Sequence, residues 1–128
     1  MKSQGRLLAR FSPHFQNFPD VYKDDGHWAA FAGFGICMAY DASRTQSPPQ
    51  EWTDILDPRW RGRIGLEDIN AGGSQYGQYY LLRETLGLEF WQTLLSLQEP
   101  KIYSSTEALA DALLEGEIDV AGQFSIHT

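Results

Sequence analysis

Apolar positions along this chain switch between a period of two and a period near 3.6, and each switch marks an element. LLARF, residues 7–11, is expected to be a strand. It leads into SPHFQNFPDVYKDDGH, residues 12–27, whose Pro, Asp and Gly residues oppose regular structure, with Asp24 and Asp25 reading as a solvated turn. WAAFAGFGICMAYD, residues 28–41, is apolar almost throughout and rich in small residues, which suits two strands bent at Gly33 or Gly35. The stretch PPQEWTDILDPRWRGRIGLED, residues 48–68, is the most informative. Pro48 is pushed out of the helical region by Pro49, and Pro49 suits a first helical position, so a short helix is expected from there. Trp52, Ile55 and Leu56 share one face of it, Pro58 stops it and Gly62 turns the chain. Ile64 and Leu66 then alternate with Arg63, Gly65 and Glu67 as a strand, which Asp68, Asn70 and Gly72 leave as a loop.

The second half repeats the alternation of strand and helix. SQYGQYYLLRETLG predicts a helix from Ser74, with Tyr76 and Tyr80 on one face, Tyr79, Leu82 and Leu86 beside them, and Gly87 at its end. A second helix is expected over residues 89–98, turning Phe90, Leu94 and Leu97 inward before Pro100. KIYSS returns as a strand. Ser104 and Glu107 have capping-box spacing, Leu109, Ala112 and Leu113 form one face of a further helix, and Gly116 closes it. IDVAGQF is the last strand. This order predicts an α/β fold with a mixed, mainly parallel sheet and helices on both faces.

Composition narrows the picture further. A chain of 128 residues with 42% hydrophobic and 13% aromatic content fits one globular domain with a real core, and no apolar run is long enough to span a bilayer. The net charge of -7 disfavours nucleic acid or an anionic membrane as partner, because either needs a basic face. A single cysteine, Cys37, excludes an internal disulfide and sits in an apolar run that suits a structural role. The first residues, MKSQGRLLAR, lack the apolar core and cleavage site of a secretory signal.

In parallel sheets, ligands sit beyond the carboxyl ends of the strands, where helix N-termini present unpaired N–H groups. Two such places are visible. At INAGGSQYG, Gly72 and Gly73 allow close backbone approach, and Ser74 either caps the helix or meets an anion with its hydroxyl. At SSTE, Ser104, Ser105 and Thr106 crowd the next helix start, with capping the simpler use. Other chemistry finds no pattern. GFGICM lacks the third glycine of a dinucleotide fingerprint, and His14, His27 and His127 have no metal-ligand spacing. No serine lies in a nucleophile elbow, so neither catalytic residues nor a cofactor or metal are expected.

The succession Pro49, Trp52, Leu56, Asp57, Pro58, Trp60 and Gly62 resembles a pattern of the extracellular solute-binding proteins of ABC importers, in the branch of ferric-ion, polyamine, thiamine and phosphorylated-solute receptors. FPDVYKDDG, Trp28, Tyr40 with Asp41, Gly73, Gly87 with Phe90 and Trp91, and Gly116 with Glu117 extend the resemblance over nearly the whole chain. It implies one lobe, residues 1–128, of a type 2 periplasmic-binding-protein-like fold, with a hinge-proximal strand near 7–11 and with the first lobe and signal peptide absent. It also implies periplasmic or extracellular location, a small-molecule ligand, and the membrane subunits of an ABC transporter as partners. A homodimer through the lobe surface left exposed is a further expectation.

The ligand-binding candidates are Tyr40, Asp41, Gly73, Ser74, Gln75, Ser104 and Ser105. An oxyanion or phosphorylated solute best uses Ser74, Gln75 and Ser105, which favours a small anionic solute. A polyamine receptor would draw on carboxylates such as Asp41, Glu67 and Asp68. Tyr79 and Tyr80 are adjacent like the tyrosines of ferric-ion receptors, but successive helical residues diverge by about 100° and cannot easily converge on one metal. Asp41 stands where the branch commonly has Asn, a departure that bears on the ligand. Two rival classes remain: the effector-sensing domain of a transcription regulator, which upstream sequence would reveal, and an enzyme of the same architecture.

Overall fold

The computed structural model describes residues 2–24, 26–30 and 33–127. They form two compact units, Met1–Phe34 with His127–Thr128, and Gly35–Ile126. In the first, three single turns of 3-10 helix, Lys2–Gln4, Phe15–Asn17 and Asp20–Tyr22, precede a two-residue antiparallel ladder of β1 (Lys23–Asp24) and β2 (Trp28–Ala29). Residues 7–11 are not a strand. The Arg10 N–H donates to the Gly26 carbonyl at 2.9 Å, and among the described residues LLARF joins no ladder. Asp24 lies in β1, opposite Trp28; Asp25 lies outside the described residues.

The second unit is built on a four-stranded sheet of β3 (Phe34–Tyr40), β4 (Ile64–Glu67), β5 (Lys101–Tyr103) and β6 (Val120–His127), in the order β3-β6-β4-β5. β4 pairs in parallel with both β5 and β6, with Leu66 opposite Ile102 and Ile64 opposite Val120. The sheet is mixed and mainly parallel, as the alternation of elements predicts, so the one remaining strand, β3, runs the other way. Between β2 and β3 lies the predicted break at Gly33, with Phe31 and Ala32 outside the described residues.

Helix α1 (Gly73–Leu97) covers one face and α2 (Thr106–Glu115) the other. On the α1 side, Ile64, Leu66 and Val120 pack with Leu82, Phe90, Trp91 and Leu94. On the α2 side, Leu109, Ala112 and Leu113 meet Ile118 and Ala121. The alternation along β4 therefore separates two cores rather than core from solvent, and all four of its residues are buried. Gly65 faces α2, where a Cβ would lie 2.5 Å from both Ile118 Cδ1 and Leu109 Cδ1, so its missing side chain sets how closely that helix approaches.

Several expected boundaries shift for identifiable reasons. The short helix begins at Trp52 rather than Pro49, because the Asp54 carboxylate reaches back to accept from the N–H groups of Gln50 and Glu51, at 2.8 and 3.0 Å, and fixes the N-cap at Glu51. Pro58, expected to be a stop, opens a second 3-10 turn, Pro58–Trp60, capped by Asp57. The break expected at Gly87 is present: α1 consists of two helical segments divided there by a non-helical backbone (φ 83°, ψ 167°). Within it, Trp91 takes the buried place expected for Leu97, which is 58% exposed.

Candidate functional site

Because β4 and β5 are parallel, their carboxyl ends finish side by side, and the Asp68 N–H donates to the Tyr103 carbonyl at 2.8 Å. Two helices start just beyond this junction. The loop to α1 is shaped by Asp68, whose Oδ1 accepts from the Asn70 N–H and from Asn70 Nδ2, both at 2.9 Å. That turn delivers Gly72 in extended conformation as the N-cap of α1. A glycine has no side chain with which to accept from the first-turn amides, and no acidic residue stands in that turn. The Gln75 carboxamide folds back over Gly72, where a Cβ would meet its Oε1 at 2.9 Å, and the Ser74 hydroxyl donates to the same oxygen at 2.8 Å. Ser74 is thus inside the helix and does not cap it.

The α2 start is arranged differently. Ser105 is its N-cap and accepts from the Ala108 N–H at 3.2 Å, while Ser104 lies one residue outside on the exposed bend. The expected capping box at Ser104 and Glu107 therefore does not form: Ser105 caps alone, because the residue three positions on is Ala108, which has no polar side chain to reach back. With its backbone and Ser105 hydrogen bonds, Glu107 is held below the usual carboxylate range. Behind both loops sits Glu67, 2% exposed, whose Oε1 accepts from the Thr106 hydroxyl and whose Oε2 has no hydrogen-bond partner among the described residues. Glu67 counted in the sequence only as a possible polyamine carboxylate. Its place at the end of a strand buried on both faces was the signal that it would be buried too.

Gly73, Ser74, Gln75, Ser104 and Ser105 are thus brought to one end of the sheet. Tyr40 and Asp41 are not. Asp41 accepts from the Ser43 hydroxyl at 2.6 Å and the Ser43 N–H at 2.8 Å, bonds that hold its carboxyl below the usual range, and it pairs with Arg44 at 2.9 Å. Arg44 in turn donates to the carbonyls of Leu113 and Leu114 in the last turn of α2. A ten-residue helix is about 15 Å long, so Asp41 sits roughly that far from Ser105, at the opposite end of the sheet. The reversed direction of β3 is the cause. Tyr79 and Tyr80 diverge as expected: Tyr79 packs 5.0 Å from Trp91, and Tyr80 is 47% exposed. Among the described residues, no group of three His, Cys, Asp or Glu is placed to hold a metal ion.

A mixed α/β sheet with two helix starts at its carboxyl ends is the architecture of a ligand-binding lobe, and comparison with known proteins agrees. The chain belongs to the bacterial extracellular solute-binding protein family, whose model matches residues 2–128. This is a family of extracellular, periplasmic binding proteins and not of enzymes. None of the curated protein sequences matches. Among solved structures, the chain is similar to iron-bound HitA from Pseudomonas aeruginosa, with a TM-score of 0.70 and 22% identity, over 98% of this chain and 42% of that one. The apo ferric ion-binding protein A of Pasteurella haemolytica gives a TM-score of 0.76 at 15% identity, over 99% and 41%. The substrate-binding protein of an ABC transporter from Agrobacterium tumefaciens gives 0.68 at 17%, over 97% and 40%. The chain spans about two fifths of the length of these structures, and identities this low establish the shared fold alone.

Proposed function

We propose that this chain serves ABC import as one lobe of a two-lobed receptor and captures a small anionic solute at the first turn of α1. One observation carries the reading. The N-terminus of α1 is capped by a glycine with no side-chain hydrogen bond and no acid in its first turn, which leaves the amides of that turn and the positive end of the helix for an anion. The Gln75 carboxamide and Ser74 hydroxyl stand at the same turn as further polar groups. The second helix start is less available, because Ser105 already accepts from an α2 amide. Support for the lobe comes from the coverage of about two fifths of two solved receptors and a third related protein. Delivery to transporter membrane subunits follows from the family.

Calorimetric titration with phosphate, phosphorylated sugars, polyamines and ferric citrate tests the ligand class. Phosphate or a phosphorylated sugar is expected to bind, and Ser74→Pro, which removes one first-turn amide donor, is expected to weaken it by about tenfold. Binding of polyamines alone would sink the proposal.

A further inference from the structure

At the end of the sheet opposite the α1 start, a polar pocket of about 220 Å3 opens between three segments: Thr45, Gln46 and Ser47 after β3, Arg59 and Trp60 before β4, and Asp119 before β6. A space of this size takes a small ion with a few waters, at roughly 30 Å3 for each water. Its wall is rich in donors that the fold leaves unused. The Arg59 guanidinium packs over the Trp60 ring, 4.4 Å from the centroid. An aromatic face attracts the charge without consuming its N–H groups as a carboxylate would. Among the described residues the guanidinium makes no hydrogen bond, and Asp57 is 3.8 Å from its Nε. Trp60 is 6% exposed, and its buried Nε1–H, which can only donate, has no acceptor among the described residues. The side chains of Gln46 and Ser47 are likewise without a hydrogen-bond partner there. The acceptors, by contrast, are taken. Asp119, the acid of the lining, receives Nε and Nη2 of Arg63 at its two oxygens. Arg44, on the same wall, pairs with Asp41 and donates to the last carbonyls of α2, which offsets the negative end of that helix.

From this surplus of donors we infer that the pocket binds a small free oxyanion, with the Arg59 guanidinium as its cation and the side chains of Gln46 and Ser47 as further donors. The bound ion joins the segment after β3 to the 3-10 turn before β4, two stretches that no ion pair among the described residues connects directly. The site lies at the far end of the sheet from Ser74 and Ser105, so it is separate from the capture of a solute there and does not depend on that reading.

A titration with sodium sulfate, followed by two-dimensional NMR with sodium chloride keeping the ionic strength constant, tests the site residue by residue. Saturable shifts are expected at the backbone amides of residues 45–47 and at the Trp60 indole N–H. Arg59→Gln is expected to weaken sulfate at these signals by about tenfold, with circular dichroism confirming an unchanged fold for this exposed position. Ser74→Pro, which alters the α1 start, is expected to leave the same shifts and their midpoint unchanged. Shifts that never saturate, or that keep their midpoint in Arg59→Gln, overturn the inference whatever the α1 start binds. Loss of the shifts in Ser74→Pro overturns it too, because the response would then belong to the α1 end.

Discussion

Gly65 shows how much of this fold turns on the absence of one side chain. It occupies the α2 face of a strand buried on both sides, and a Cβ there would also lie 3.0 Å from Tyr103 Cε2. Gly65→Ala is expected to cost about 1–3 kcal/mol by overpacking, because the terminal methyls it meets belong to Ile118 and Leu109, both fully buried. Urea denaturation measures this directly, and an unchanged midpoint would show that α2 can move away freely. The sequence marked Gly65 only as one member of an alternating strand. Residue types at turns and caps were more legible: Gly62 (φ 69°) and Gly116 (φ 78°) hold the left-handed conformations their positions call for. Capping by Ser105 in place of Ser104 was a one-residue ambiguity, since both serines precede the same apolar face and only the backbone decides which one turns outward.

At the scale of elements, α1 is the one the site depends on, and Gly87 divides it. A positive φ with an extended ψ inside a helix breaks its hydrogen bonding locally, and the second segment, Leu88–Leu97, then brings Phe90, Trp91 and Leu94 onto the sheet. Nothing lies within 4 Å of a Cβ built on Gly87, so backbone strain alone opposes a substitution. Gly87→Ala is expected to destabilise the fold by about 1–2 kcal/mol, against the gain of up to about 1 kcal/mol that the same change brings in a regular helix. A rise in melting temperature would mean that α1 straightens without loss. The helical period of both segments and the break between them could be read from the pattern of apolar residues. After the break the pattern also gave Phe90 and Leu94, both buried, and missed only the edge of that face: Trp91 is buried with them, while Leu97, the last residue of the helix, is exposed.

For the molecule as a whole, the amino-terminal end of the sheet is held by charge, and this makes stability depend on pH. Arg63 Nε and Nη2 donate to the two carboxylate oxygens of Asp119 at 2.9 and 2.6 Å, and Nη2 also reaches the Gly116 carbonyl at 3.0 Å, so one guanidinium ties β4 to β6 and to the end of α2. Hydrogen bonding to Arg63, and secondarily its charge, holds the Asp119 carboxyl below its ordinary value of 3.8. A folded-state pKa that is lowered contributes stability above the unfolded value, and that contribution is lost as pH falls through the folded one. Asp119→Asn is expected to cost about 1–2 kcal/mol at pH 7, a figure reduced for the partial exposure of both side chains, and the gap from the parent protein should shrink at pH 3 and below. A gap of equal size at both pH values would assign the loss to packing instead. Element order, the parallel core of the sheet, the faces of most helical segments and the two helix starts were determined by the sequence itself, because each follows from local periodicity and capping chemistry. Which candidate residues meet was decided only by the tertiary structure: the direction of β3 depends on long-range pairing, and it carries Tyr40 and Asp41 to the end of the sheet away from Ser74 and Ser105. The polar pocket beside Arg59 arises in the same way, since its walls come from residues far apart in the chain that only packing brings together.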